Sequence, residues 1–99
     1  MKLVFSPEAE QDVEKIDAWW RENRPDAPRM FAEELAGVCL QIQRKPLIVR
    51  PYREPRGVVI RRWLMKRTER HVYFEADVER GLVTVLRVWG ARRGRGPKL

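Results

Sequence analysis

Few side chains in this 99-residue sequence could move a proton near neutral pH. His71 is the only histidine, and histidine is the residue whose ordinary pKa lies in that range. Cleavage of RNA by its own 2′-hydroxyl needs a base, an acid and cations that stabilise the phosphorane. Arginine can supply only the positive charge, because its side chain stays protonated. If the chain cuts RNA, its candidate catalytic residues are therefore His71, Tyr73, Arg62, Arg87 and Arg92.

These residues also have a structural interpretation. A single histidine in a strand is commonly half-buried without a chemical role, and a tyrosine such as Tyr73 commonly packs on a pleated sheet face. Trp63 and Trp89 could stack on nucleotide bases, but in so small a domain we favour a role for them in packing. The residue types alone leave catalysis and packing both open.

The charge of the chain is strongly uneven. The net charge is +7, yet residues 1–49 contain seven Lys or Arg against nine Asp or Glu, whereas residues 50–99 contain fourteen against five. Such a field attracts nucleic acid, anionic lipid or an acidic protein segment, although a solvated basic surface without a partner would have the same composition. The candidate residues for binding a partner are Arg61, Lys66, Arg67, Arg70, Trp89, Arg92, Arg93 and Arg95.

Helix signals occupy the first half of the chain. Ser6 is a good N-cap and Pro7 suits the first helical position, so a helix is expected from Pro7 to about residue 23. A second helix is expected from Pro25 or Asp26 to Lys45, after a join of two or three residues. Its apolar stripe is Phe31, Leu35, Val38 and Ile42. Two such helices form an antiparallel hairpin that needs a common surface to cover.

Strand signals surround this hairpin. Residues 2–5 predict a short strand, and residues 46–57, with three prolines, predict a loop. Strict alternation of apolar and polar residues then predicts strands over 58–65, 71–77 and 82–89. The helices are expected to pack against these strands.

The order of elements predicts an α+β fold in two layers, with a short N-terminal strand, an antiparallel helical hairpin and a three-stranded antiparallel meander. Residues 1–90 are expected to form one domain, and residues 91–99 a basic, flexible C-terminal tail. Alternation in the last strand predicts that Arg87 and Trp89 share a sheet face with Val85.

Composition also excludes several classes of protein. Cys39 is the only cysteine, which excludes an internal disulfide framework and a multi-cysteine zinc site. No leader segment and no long apolar run is present, so we expect a cytoplasmic protein without a membrane partner. There is no Gly-rich phosphate loop and no metal-ligand spacing, so we expect no cofactor and no metal.

Three stretches carry a resemblance to a known family. They are the segment 5–10 that leads into the first helix, the segment 70–74 in the meander, and the segment 85–93 at the last strand and its exit. In this order they resemble the RelE/ParE superfamily of type II toxin–antitoxin toxins, and ParE in particular. The resemblance implies a bacterial toxin that arrests growth and is neutralised by a cognate acidic antitoxin, similar to ParD, in a toxin–antitoxin hetero-oligomer.

The resemblance implies two alternative targets. Toxins similar to ParE block DNA gyrase and cut nothing, whereas toxins similar to RelE cut messenger RNA on the ribosome. RelE-type ribonucleases have a tyrosine shortly after a basic residue near the end of the last strand, and residues 91–99 contain no tyrosine. We therefore favour non-enzymatic gyrase inhibition over mRNA cleavage. A basic nucleic-acid-binding module without toxicity is the third interpretation.

Overall fold

Two helices and five strands follow one another along the chain in a computed structural model that describes residues 1–92 and 95–99. In chain order they are β1 (Lys2–Phe5), α1 (Pro7–Asn23), α2 (Met30–Arg44), β2 (Pro51–Arg53), β3 (Ile60–Met65), β4 (Arg70–Asp77) and β5 (Leu82–Gly90). A single 3₁₀ turn, Pro55–Gly57, lies between β2 and β3. The α+β class predicted from the sequence is confirmed.

The strands form one mixed sheet in the order β1-β5-β4-β3-β2. The antiparallel meander of β3, β4 and β5 is its centre, and β1 adds parallel to β5 at one edge. At the other edge β2 pairs with β3 inside the stretch predicted as a loop. A strand can begin with a proline such as Pro51 at a sheet edge, where the missing N–H costs little.

The first helix starts where its capping residues predict. The Ser6 hydroxyl oxygen accepts a hydrogen bond of 3.0 Å from the Ala9 N–H and donates one of 2.9 Å to the Leu86 carbonyl. Pro7 occupies the first helical position. One side chain therefore caps α1 and ties it to the last strand.

The second helix starts at Met30 rather than at Pro25 or Asp26. Pro28 disfavours helical backbone at the residue before it, so the chain turns over residues 24–29 instead. The Trp20 indole N–H closes this turn with a 2.8 Å hydrogen bond to the Ala27 carbonyl. The join between the helices is correspondingly longer than predicted.

The helices cover one face of the sheet, here called the inner face. The predicted stripe on α2 is buried there, with Trp20 of α1. The sheet contributes Met65, Val72, Phe74, Val83, Val85 and Val88. This layer is the main hydrophobic core. No helix of the described residues is both long and apolar enough to span a membrane.

A β-bulge interrupts the alternation of sheet faces that was predicted for β5. Phe74 pairs with Val85 and Tyr73 pairs with Arg87, so Leu86 is an extra residue in the ladder. Val88 consequently joins Val85 on the inner face. Arg87 and Trp89 lie instead on the opposite, outer face with Tyr73, and the prediction that they share a face with Val85 is wrong.

Candidate functional site

Aromatic rings form a row across the outer face of the sheet. The Tyr52 and Tyr73 ring centroids are 5.4 Å apart, and those of His71 and Tyr73 are 5.9 Å apart. Trp89 is the cross-strand partner of His71. We call Tyr52, Tyr73, His71 and Trp89 the outer row. Three of the four come from β4 and β5, so the pleat and the bulge together place them side by side.

The acid–base candidates of the outer row differ in accessibility. Tyr73 is only 2% exposed, whereas His71 is half-buried. Burial lowers the pKa of His71, and the positive charge of Arg62 lowers it further. The imidazole is therefore neutral near pH 7 and can accept a proton. The Arg62 guanidinium lies over the Tyr52 ring, 4.2 Å from its centroid.

Arg87 is held by a carboxylate rather than presented to solvent. Its Nε and Nη2 donate to the two Asp12 oxygens at 2.7 and 2.9 Å, and the Val88 N–H donates to the same carboxylate at 3.0 Å. The hydrogen bond to Asp12 raises the pKa of Arg87. Within the described part of the chain, no strand pairs with this edge of β5 beyond Val85, so α1 supplies the acceptor that a neighbouring strand would otherwise provide.

Arg92 is also paired within the chain. Its Nε lies 2.9 Å from a carboxylate oxygen of Glu69, and 82% of the Arg92 side chain is exposed. Of the three arginines predicted beside His71, two therefore contact carboxylates, and only Arg62 has no carboxylate partner among the described residues.

The turn between β3 and β4 presents a group of cations. The side chains of Lys66 and Arg67 are exposed there and form no ion pair with a carboxylate within residues 1–92 and 95–99. Glu34 of α2 fixes the turn, since its carboxylate accepts hydrogen bonds from the N–H groups of Arg67 (2.8 Å) and Thr68 (2.9 Å). The Thr68 hydroxyl donates a third bond of 2.7 Å. We call Lys66, Arg67, Arg70 and Arg92 the cationic turn.

A cleft of about 720 Å³ lies beside the cationic turn, between α1 and the end of β5. Arg70 lies 5.8 Å above the Trp19 ring, and Trp19 is 45% exposed. Ile16 and Trp89 contribute further apolar surface. The cleft therefore combines aromatic anchors with positive charge, a combination common at protein interfaces.

The remaining predicted binding residues lie elsewhere. Arg61 is on the inner face and donates to the Val49 carbonyl, so it is separated from the cationic turn. The Arg95 carbonyl accepts a hydrogen bond of 3.1 Å from the Trp89 indole N–H. Arg93 lies outside the described residues. Across residues 1–92 and 95–99, no three His, Cys, Asp or Glu side chains group closely enough to hold a metal ion.

Comparison with known families decides the class. The family model for the ParE toxin of type II toxin–antitoxin systems, parDE, matches residues 3–94, nearly the whole chain. The chain belongs to the ParE toxin family. The resemblance predicted from the sequence is thus confirmed at the level of family.

Solved structures share the fold of this ParE-family chain. A chain of the chromosomal ParDE system from P. aeruginosa superimposes with a TM-score of 0.65 at 14% identity, over 93% of this chain and 97% of that chain. A chain of the toxin–antitoxin complex RelBE2 from Mycobacterium tuberculosis gives a TM-score of 0.57 at 23% identity, over 90% and 95% of the two chains. At these identities the likeness shows the fold alone. No curated protein sequence matches significantly.

Sequence reasoning missed three residues of this ParE-family site. Asp12 and Glu34 hold Arg87 and the cationic turn, and Tyr52 extends the outer row. Each acts on residues far away in the chain, so no local pattern marks it. The sequence offered one signal for Asp12, an acidic residue in the first helix of a chain whose last strand contains Arg87.

Proposed function

We propose that this ParE-family toxin inhibits DNA gyrase by docking on it, cuts no nucleic acid itself, and is neutralised by an acidic antitoxin. The observation that carries the proposal is the two-bond pairing of Arg87 with Asp12. It neutralises one of the two arginines that pair with Tyr73 across the sheet, and only Arg62 on the other side is left without a carboxylate among the described residues.

The surroundings of His71 argue further against RNA cleavage. A phosphorane is stabilised by cations directed at its charge, yet Arg87 and Arg92 each contact a carboxylate. Tyr73 is almost fully buried and therefore poorly placed to donate a proton to a departing oxygen. A neutral His71 with Arg62 is what remains of the predicted catalytic group.

The cationic turn is the better candidate for contact with a target. The side chains of Lys66 and Arg67 are exposed, and Glu34 fixes the backbone of the turn at Arg67 and Thr68, so that backbone loses little conformational freedom when a partner binds. The adjoining cleft offers Trp19 as an aromatic anchor. Such a surface suits an acidic region of a protein partner.

An antitoxin partner is supported by the family and by charge. Both similar structures are of toxin–antitoxin systems, and the +7 chain favours an acidic binding segment. A toxin that acts on gyrase works in the cytoplasm. We propose a hetero-oligomer with the antitoxin in which the cationic turn is covered.

Ribosome-dependent mRNA cleavage is the second candidate. The specific observation in its favour is the neutral His71, 5.9 Å from the Tyr73 ring and beside Arg62. A neutral imidazole could take the 2′-hydroxyl proton. This function would require Tyr73 to become accessible when the ribosome binds.

One paired assay separates the two functions. Purified protein is added to a gyrase supercoiling reaction and, in parallel, to translating ribosomes with labelled message. We expect inhibition of supercoiling with the message intact. Cleavage that disappears in His71→Ala would reverse the assignment.

A growth experiment tests toxicity itself. Expression of the chain alone is expected to arrest bacterial growth, and co-expression of a small acidic antitoxin is expected to restore it. Normal growth at verified expression of folded protein would contradict toxicity.

A further inference from the structure

Residues 95–97 lie across the outer row. The Trp89 indole N–H donates to the Arg95 carbonyl at 3.1 Å, and Pro97 is buried. Between them, Gly96 passes close to two phenol groups. Three consecutive residues therefore occupy the aromatic surface of the sheet.

Gly96 approaches the tyrosine hydroxyl groups closely. A Cβ atom at this position would lie 3.1 Å from the Tyr52 hydroxyl oxygen and 3.7 Å from that of Tyr73. The first distance is tighter than nine in ten Cβ contacts, so a Cβ here requires the Tyr52 hydroxyl or the backbone to move by a few tenths of an ångström, and the branched side chain of valine requires more. Glycine is the residue that lets this backbone approach Tyr52.

These contacts resemble the way aromatic grooves bind extended peptides. Such grooves combine an aromatic N–H donor to a backbone carbonyl with apolar surface that receives a proline. Here Trp89 supplies the donor, the tyrosine hydroxyls approach Gly96, and the next residue, Pro97, is buried. The outer row thus contacts a backbone carbonyl and a glycine that are followed by a buried proline.

The charge of the segment does not match the surface. Arg53 and Arg62 lie 5.1 and 4.2 Å from the centre of the Tyr52 ring, and neither has a carboxylate partner among the described residues. The segment that covers the row adds Arg95 and Lys98, which carry the same sign. Like charges weaken this contact, whereas an acidic segment with the same backbone geometry would strengthen it.

We propose that the outer row is a docking site for an extended, acidic, glycine–proline-containing segment of a partner polypeptide. Residues 95–97 occupy the site in the absence of the partner. Residues 95–97, here called the cover, occupy the row more readily because they belong to the same chain. A short tether gives them an effective concentration on the order of 1 mM. A longer acidic segment displaces it through its charge and its additional contacts.

The proposal rests on the proposed function in one respect, since an antitoxin is the partner expected to bring an acidic segment. The test uses neither gyrase nor antitoxin, so its failure is distinguishable from failure of the proposed function. It uses the full chain, and the probe is an acetylated pentapeptide with the sequence of residues 95–99 in which glutamate replaces Arg95 and Lys98.

The readout is the NMR signal of the Trp89 indole N–H during peptide titration. The substitution Gly96→Val is designed to displace residues 95–97 from the outer row. In this variant we expect the acidic pentapeptide to bind at least about tenfold more tightly than in the unaltered chain. The unmodified cationic pentapeptide is expected to bind about tenfold more weakly than the acidic one. Gly37→Ala, at a helical position with open space around it, is the matched control for a glycine substitution.

A second variant tests the proposal independently of Gly96→Val, in case that substitution prevents folding. The double substitution Arg95→Glu and Lys98→Glu leaves the backbone intact and makes the cover acidic, so the acidic pentapeptide should need a higher concentration than in the unaltered chain. Equal binding of acidic and cationic peptides, or unchanged binding by both variants, would overturn the proposal. Binding of a single-stranded oligonucleotide in preference to the acidic peptide would also overturn it, in favour of a nucleic-acid site.

Discussion

Asp12 and Arg87 are 75 residues apart in the chain and share two hydrogen bonds, of 2.7 and 2.9 Å. The same carboxylate accepts the Val88 N–H. Asp12 therefore closes the edge of β5 that β1 leaves open and at the same time neutralises an arginine of the outer face. The contact links the stability of the sheet to the neutralisation of one of the two arginines that pair with Tyr73.

Loss of the Asp12 carboxylate is expected to destabilise the protein. In Asp12→Asn the partly buried Arg87 keeps its charge without a counterion, so the free energy of unfolding should fall by about 2 kcal/mol. Urea denaturation measures this change. Arg80→Gln is the matched control, because Arg80 forms an exposed pair with Asp77 and its loss should cost less than about 0.5 kcal/mol. Equal losses in the two variants would contradict a special role for Asp12.

The Glu34 contacts predict how the cationic turn is held. Thr68 is 2% exposed and its hydroxyl donates to Glu34, so Thr68→Val should lower the free energy of unfolding by about 1–2 kcal/mol. Thr68→Ser retains the donor and should cost less. Hydrogen exchange of the Arg67 N–H, which donates to Glu34, should accelerate in Thr68→Val. Unchanged exchange would show that Thr68 does not order the turn.

The environment of His71 predicts loss of stability in acid. Burial and Arg62 lower its pKa in the folded chain below 6.5, so the unfolded chain binds the proton more readily. The contribution of His71 is complete above about pH 6.5 and is lost as the pH falls through the folded-state pKa. Thermal melts should show a larger decrease in Tm between about pH 7.5 and pH 5.5 for the unaltered chain than for His71→Gln. Identical decreases would contradict the lowered pKa.

Cys39 is expected to react slowly. Burial raises the pKa of its thiol to about 11, which leaves little thiolate at pH 8. A thiol reagent should therefore modify the folded chain about 100-fold more slowly than the chain in denaturant. A folded-state rate within about tenfold of the denatured rate would indicate an accessible thiolate.

Local signals were sufficient for the framework of the fold. Ser6 and Pro7 mark the start of α1 because capping depends on the residues next to the helix end. The stripe from Phe31 to Ile42 is buried because its spacing follows the helical period. The family likewise followed from short stretches of sequence at the expected positions.

Features that depend on distant residues were not predictable in this way. The bulge at Leu86 changes the side on which Arg87 and Trp89 lie, and alternation alone contains no sign of it. Asp12 neutralises Arg87 only because α1 packs along the uncovered edge of β5. Net charge predicted a basic surface, but it could not distinguish paired arginines from Lys66, which has no ion pair among the described residues.

The most direct test is inhibition of gyrase supercoiling by charge-reversed variants of the cationic turn. The double substitution Lys66→Glu and Arg67→Glu is expected to raise the concentration needed for half-inhibition by at least about tenfold, because both side chains are exposed and without carboxylate partners within residues 1–92 and 95–99. Arg80→Glu, on the distant turn between β4 and β5, and His71→Ala should retain the inhibition of the unaltered chain. Full inhibition by the double variant, or loss of it in His71→Ala, would contradict the account.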